Sequence, residues 1–143
     1  MIFYENIDEM TLFNDAMEAS GMAWWLFEYP SGLIFFNPNK LKMLGYDEKD
    51  AEKFVHISEF SKLVHPKDRD RTMKAMMGYI EGKTPDYQVD YRMKDKSGEY
   101  KHFFDRGKIV GKNEDGQVAV AGFAMDLSQT DLVPSMPAVP AMA

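Results

Sequence analysis

The 143-residue chain contains no cysteine. That absence excludes a disulfide framework, a thiolate metal site, a cysteine nucleophile and any flavin photochemistry that needs a thiol. Histidine is scarce: His56, His65 and His102 stand alone, and none is four residues from another, so a helical zinc pair is not available. Excess positive charge is missing as well. The net charge is −6, and the densest basic stretch, Lys67-Asp68-Arg69-Asp70-Arg71, alternates in sign, which argues against binding nucleic acid through its phosphates. No apolar run approaches the ~18 residues of a membrane span. Glu5, Asp8 and Glu9 stand where a signal peptide would carry positive charge, so a cytoplasmic location without membrane insertion is expected. No glycine-rich phosphate loop, Ser-His-Asp set or cavity-directed carboxylate pair can be placed. The sequence makes no positive case for catalysis, and a non-enzyme is expected.

What the chain does have is apolar bulk: 13% aromatic residues and twelve methionines, enough for one domain with a single core. From Tyr87 to Asp126 the pattern predicts three consecutive antiparallel strands. Tyr87, Val89, Tyr91 and Met93 alternate with Gln88, Asp90, Arg92 and Lys94, a period of two with one buried face. Asp95-Lys96-Ser97-Gly98 and Asn113-Glu114-Asp115-Gly116 are the turns. The third strand, Gln117 to Met125, is the least polar, which predicts cover on both faces.

Earlier in the chain, Phe3, Ile7, Met10, Phe13 and Met17 form one stripe of an amphipathic helix, with Gly21 as its stop. Met22 to Tyr29 reads as a strand with Trp25 and Phe27 on one side and Trp24, Leu26 and Glu28 on the other. A short second strand, Leu33 to Phe36, leads to Asn37 and Pro38 at the start of a helix that stops at Gly45. Charged, irregular chain follows, with a helical turn at Glu48 to Lys53 and a short helix from Ser58 to Val64. Pro66 opens the longest internal helix, which reaches Glu81 and places Met73, Met76, Met77 and Ile80 on one face. This gives an α+β domain at residues 21–128, a five-stranded antiparallel sheet with its helices inserted between strands two and three. It is flanked by the helix of residues 1–20 and a proline-rich tail, 129–143, that is expected to be disordered.

Four stretches carry a family resemblance. They are Met22 to Glu28 with Gly32; Phe36-Asn37-Pro38 with Leu44-Gly45-Tyr46; Leu63-Val64-His65-Pro66-Lys67-Asp68-Arg69; and Tyr91 to Tyr100 followed by Asp105-Arg106-Gly107, Asp115-Gly116, Gly122 and Asp126-Leu127-Ser128. In this order and spacing they resemble a PAS sensory domain of the fold-3 type, with the PAC motif in its last three strands. The resemblance implies a sheet of order 2-1-5-4-3 with the helices on its concave face and any ligand between them. It also implies a homodimer and an output domain such as a histidine kinase or a cyclic-dinucleotide enzyme. Asp126-Leu127-Ser128 is where such proteins pass their signal into a connecting helix. The short proline-rich segment that follows departs from that pattern and leaves open whether the sensor stands alone.

The expected cavity is lined by Trp25, Phe27, Phe36, Met76, Met77 and Ile80. The methionine stripe is either plain core or the adaptable lid of a ligand site. His65, directly before Pro66, is expected to lock the turn rather than to catalyse. Arg106 is expected to pair with a carboxylate on a neighbouring strand, with an anionic ligand as the alternative. The cofactor is left unknown: haem is disfavoured because the long helix holds no histidine, although its methionines could ligate, and flavin is disfavoured without a cysteine. The unusually apolar outer face of the first strand, Trp24 and Leu26, is expected to be covered by the N-terminal helix, in its own subunit or exchanged with a partner, with the leftover apolar surface making a homodimer. The alternatives are a ligand-free docking module and, less favoured, a cone-shaped α+β enzyme of the ketosteroid-isomerase type. That type would put its helices first and need a buried Asp or His in its cavity.

Overall fold

The structure, a computed structural model, describes residues 8–128. Phe3 and Ile7 of the expected stripe and the proline-rich tail lie outside the described residues. Helix α1 (Glu9–Ala19) starts at Asp8, whose carboxylate accepts from the backbone N–H of Met10 at 2.9 Å. It ends at Ser20, and Gly21 turns the chain at φ +68°.

Strands β1 (Met22–Tyr29) and β2 (Ile34–Phe36) form a hairpin. The chain then crosses the sheet through α2 (Asn39–Met43), a 3₁₀ helix at Glu48–Lys53, α3 (Ile57–Ser61) and α4 (Pro66–Ile80). Strands β3 (Tyr87–Lys94), β4 (Tyr100–Lys112) and β5 (Val118–Asp126) complete one antiparallel sheet of order 2-1-5-4-3. In β3 the alternation is complete, with Tyr87, Val89, Tyr91 and Met93 buried and the residues between them exposed. Val110 is the extra residue of a bulge between Ile109 and Gly111 in β4.

The third closing strand is covered less than its composition suggested. Val120 and Ala124 are buried on the inner face, but Phe123 on the outer face keeps 40% of its surface exposed. Cover on that side comes from α1, where Phe13 meets the Phe123 ring at 6.3 Å and Asn14 accepts from Trp24 Nε1 at 3.2 Å. Beyond this helix, Phe35 and Phe123 on the outer face remain exposed among the described residues.

The Val-His-Pro-x-Asp-Arg stretch is a set of ties. His65 Nδ1 accepts from the Lys67 N–H at 3.1 Å and caps α4, and Pro66 fills the first helical position, where no N–H is needed. Arg69 returns to the end of α3, donating to the carbonyls of Val64 and Lys62, each at 2.9 Å. Asp68, buried, accepts from Arg92 through the backbone N–H, Nε and Nη2, all at 2.9 Å, and so pins α4 to β3. These Arg92 hydrogen bonds hold the Asp68 carboxyl well below the usual carboxylate range.

Candidate ligand cavity

The inner face of the sheet is cut by a row of side chains running across the strands: Phe36, Trp25, Gly122, Gly107 and Tyr87 are successive cross-strand neighbours. The two glycines leave a trough, and the Trp25 ring lies in it. A Cβ on Gly122 would fall 2.0 Å from the Arg106 carbonyl oxygen and 2.6 Å from Trp25 Cζ2, and one on Gly107 would meet Trp25 Cη2 at 2.7 Å. Trp25 therefore reaches across to Tyr87, edge to face, with ring centroids 5.8 Å apart.

Between this floor and α3 and α4 is a cavity of about 260 Å³. Trp25, Phe27, Phe36, Met76 and Met77 of the expected set line it, with Met73 half-exposed above them. Ile80 does not line it: the partly buried side chain packs against the core cluster instead. Phe60 and Val64 line the α3 side, and Tyr29, Gly32 and His56 also belong to the lining. His56 lies so close to Gly32 that a Cβ there would sit 2.3 Å from its Nε2, and Gly32 holds φ +81° as well.

The cavity also holds three polar residues that the sequence reading missed. Lys40 Nζ, buried in α2, donates to Tyr91 Oη at 3.1 Å, and the Tyr91 hydroxyl donates to Asp105, 3.0 Å from Oδ1 and 3.1 Å from Oδ2. Lys40 Nζ also stands 4.2 Å from the Phe103 ring centroid. Burial raises the Asp105 carboxyl to about 6, against the lowering pull of Lys40 and of the Tyr91 hydroxyl. Burial lowers the Lys40 ammonium from its ordinary value, opposed by Asp105 and Asp126. It pushes both the Tyr91 and Tyr87 phenols well above theirs, with Asp105 adding to the rise.

The signal was readable in β4. Phe103, Asp105, Gly107 and Ile109 share one face by alternation, so Asp105 interrupts an apolar row. Lys40 sits four residues before buried Leu44, on the same helical face. A buried Asp, which the cone-shaped isomerase alternative would need, is therefore present in the cavity lining. The strand order and the placement of the helices between β2 and β3, rather than an apolar lining, separate this fold from the cone-shaped isomerases.

Arg106 is a second correction. It lies on the exposed face opposite Gln88 and Phe123 and forms no ion pair among the described residues, because its cross-strand neighbours carry no carboxylate. Asp126, 1% exposed, ends β5 and accepts at Oδ1 from the Ser128 backbone N–H at 2.9 Å and its hydroxyl at 2.6 Å. The Asp126-Leu127-Ser128 segment is therefore fixed to the sheet as a turn. Among the described residues no group of three or more His, Asp or Glu side chains comes together as a metal site.

An antiparallel 2-1-5-4-3 sheet, with its connecting helices laid over one face and a cavity beneath them, is a sensory-domain fold. The family model of the PAS fold matches residues 33–124, and the chain belongs to that family. Solved structures share the fold. A sensory box histidine kinase/response regulator from Burkholderia thailandensis superposes with a TM-score of 0.65 at 24% identity, covering 86% of this chain and 89% of that one. The N-terminal domain of a diguanylate cyclase with PAS/PAC sensor from Marinobacter aquaeolei gives 0.64 at 20% identity, covering 77% and 98%. A domain assigned to a light and redox sensing histidine kinase from Haloarcula marismortui gives 0.62 at 22% identity, covering 81% and 97%. No curated protein matches the chain.

Proposed function

We propose that this chain is the signal-sensing module of a signal-transduction protein, that residues 21–128 form the sensor, and that it binds a small molecule in the cavity under α4. The observation that carries this reading is a cavity of about 260 Å³ floored by rings, roofed by methionines and carrying a buried polar trio. A small core that only had to be filled would not place a lysine and an aspartate there, since burying charges is costly. Methionine suits the roof because it is unbranched and polarisable and can adapt to a ligand's shape. The similarity to kinase and cyclase sensor domains supports an output domain of that kind as the partner. No helix among the described residues is long and apolar enough to cross a membrane, and a cytoplasmic site of action is part of the proposal.

The module acts as a homodimer through α1 and the outer face of β1 and β5. Exposed apolar side chains support this: Met10, Leu12 and Phe13 on α1 and Phe123 beside them. The bound state reaches the partner through Asp126, Leu127 and Ser128, which leave the sheet at the strand central to it. The module itself performs no chemistry. Native mass spectrometry of protein purified from its own host tests the reading: a co-purifying small molecule is expected, whereas bare protein with a collapsed core would favour a ligand-free docking module.

A further inference from the structure

Lys40, Tyr91 and Asp105 stand together in the lining of a mostly apolar cavity that also carries His56, Ser61 and Thr72, and their hydrogen-bonding capacity is only partly used. The Lys40 ammonium has three donors, and one goes to Tyr91 Oη. The Asp105 carboxylate has acceptor sites on both oxygens, and the Tyr91 hydroxyl supplies a single proton shared between them. Trp25 Nε1, on the cavity floor, is a buried N–H without a hydrogen-bond partner among the described residues. Buried polar groups normally find partners, so the cavity lining has unmet demand for both an acceptor and a donor.

Charge decides what can meet it. Lys40 already faces two carboxylates, Asp105 lining the cavity and Asp126 buried nearby. A ligand anion would add a third negative charge to one ammonium in a poorly solvated site, and a ligand cation would stand against Lys40 itself. A neutral group that both accepts and donates meets neither penalty. The walls fix the remainder of the molecule: Trp25, Phe27, Phe36 and Tyr87 present ring faces and edges, and Met76 and Met77 close over them. A volume of about 260 Å³ is at the small end for ligand sites and suits one or two rings rather than a flavin or a haem.

We propose that the cavity takes a small uncharged ligand with a ring-containing apolar body and an amide-like head group that accepts from Lys40 Nζ and donates to Asp105. The inference rests on the ligand-sensing reading above. Tyr91 holds the two charged groups in register, so that the head group meets a fixed donor and acceptor. Of its two ends, the body supplies burial common to many ligands, and the head group supplies the discrimination.

The test uses four probes with the same ring: benzamide, benzoate, benzylammonium and toluene. Binding to the whole chain is read from the methyl resonances of Met76 and Met77 in a ¹³C-methyl-methionine NMR titration. Benzamide is expected to bind about tenfold tighter than benzoate, benzylammonium or toluene, as one or two well-placed hydrogen bonds would give. In Lys40→Met, and in the charge-balanced Lys40→Met/Asp105→Asn variant should the single one fold poorly, the advantage of benzamide over toluene is expected to vanish. Toluene binding as tightly as benzamide to the wild type, or benzoate or benzylammonium binding tightest, would overturn the head-group assignment while leaving the cavity a ligand site. Failure of all four probes to shift Met76 and Met77 up to their solubility would overturn the sensing reading and this inference together.

Discussion

The Trp25 indole meets the Tyr87 ring edge-on at 5.8 Å, across the width of two strands that lie between β1 and β3. The contact exists because those strands place Gly122 and Gly107 in the same cross-strand row and nothing rises from the sheet to block the ring. The cavity floor is therefore specified by two residues without side chains as much as by two with large ones.

Gly122→Ala tests this arrangement. The new methyl would meet the Arg106 carbonyl, which is backbone and cannot swing aside, as well as the Trp25 ring. A loss of about 3 kcal/mol in urea unfolding is expected, the upper range for overpacking. Gly107→Ala should cost less, because its nearest obstacle is the Trp25 side chain and the backbone carbonyl it meets, that of Ala121, stands at 2.9 Å rather than 2.0 Å. A Gly122→Ala protein within 1 kcal/mol of wild type by the same method would show that the trough is not a constraint.

Asp68→Asn should destabilise the protein by about 2 kcal/mol, since it trades a charge-assisted clamp on Arg92 for a neutral one. The folded-state carboxyl titrates below its unfolded value of about 3.9. Its contribution is thus fully present above that value and is lost as pH falls through it and on toward the folded value. The gap between wild type and Asp68→Asn in denaturant midpoint should narrow steadily from pH 5 to pH 2.5; a constant gap would contradict the assignment.

Asp105 has the opposite sign. Its folded value of about 6 lies above the unfolded ~3.9, so its contribution to stability is present below about pH 4 and is lost as pH rises through 6. Two pH units at about 1.4 kcal/mol each put the change at about 2–3 kcal/mol. Lys40, Tyr91 and Tyr87 are the groups that face Asp105, and the two phenols, pushed above their ordinary value, stay neutral across this window. Relative to the Lys40→Met/Asp105→Asn variant, wild type should lose stability between pH 4 and pH 7 in chemical unfolding. A flat difference would mean that Asp105 is better solvated than its burial implies.

Much of this architecture was legible in the sequence, and the reasons are local. The strict alternation from Tyr87 to Lys94 fixed the β3 face, and the His65-Pro66 pair fixed the start of α4, because each depends on neighbours in the chain. Five residues of the expected cavity line it, since Trp25, Phe27 and Phe36 belong to the face the sheet turns inward and Met76 and Met77 to the α4 stripe laid over it. The polar trio was not foreseen because Lys40 and Asp105 are 65 residues apart, and only the crossing of α2 over β4 brings them together through Tyr91. Arg106 was misread for a related reason: a charge next to Asp105 in sequence points to the opposite face of the strand.

The outer face gives a prediction about assembly. Phe13 remains 44% exposed despite its contact with Phe123, and Leu26 on the same outer face of the sheet is only partly buried. Phe13→Glu/Leu26→Glu should sediment as a monomer at micromolar concentration where the wild type sediments as a dimer, with an unchanged circular dichroism spectrum. A monomeric wild type at that concentration would contradict the dimer proposal.

The central claim is that the cavity is built to be occupied, and native mass spectrometry of wild type beside Met76→Trp tests it most directly. Met76 lies on the α4 side of the cavity, so a tryptophan there would take up space from the roof while leaving the floor residues unchanged in sequence. Wild type purified from its own host should carry an adduct of small mass that Met76→Trp lacks, while both show cooperative unfolding. An adduct retained in Met76→Trp, or none in either protein, would contradict the account.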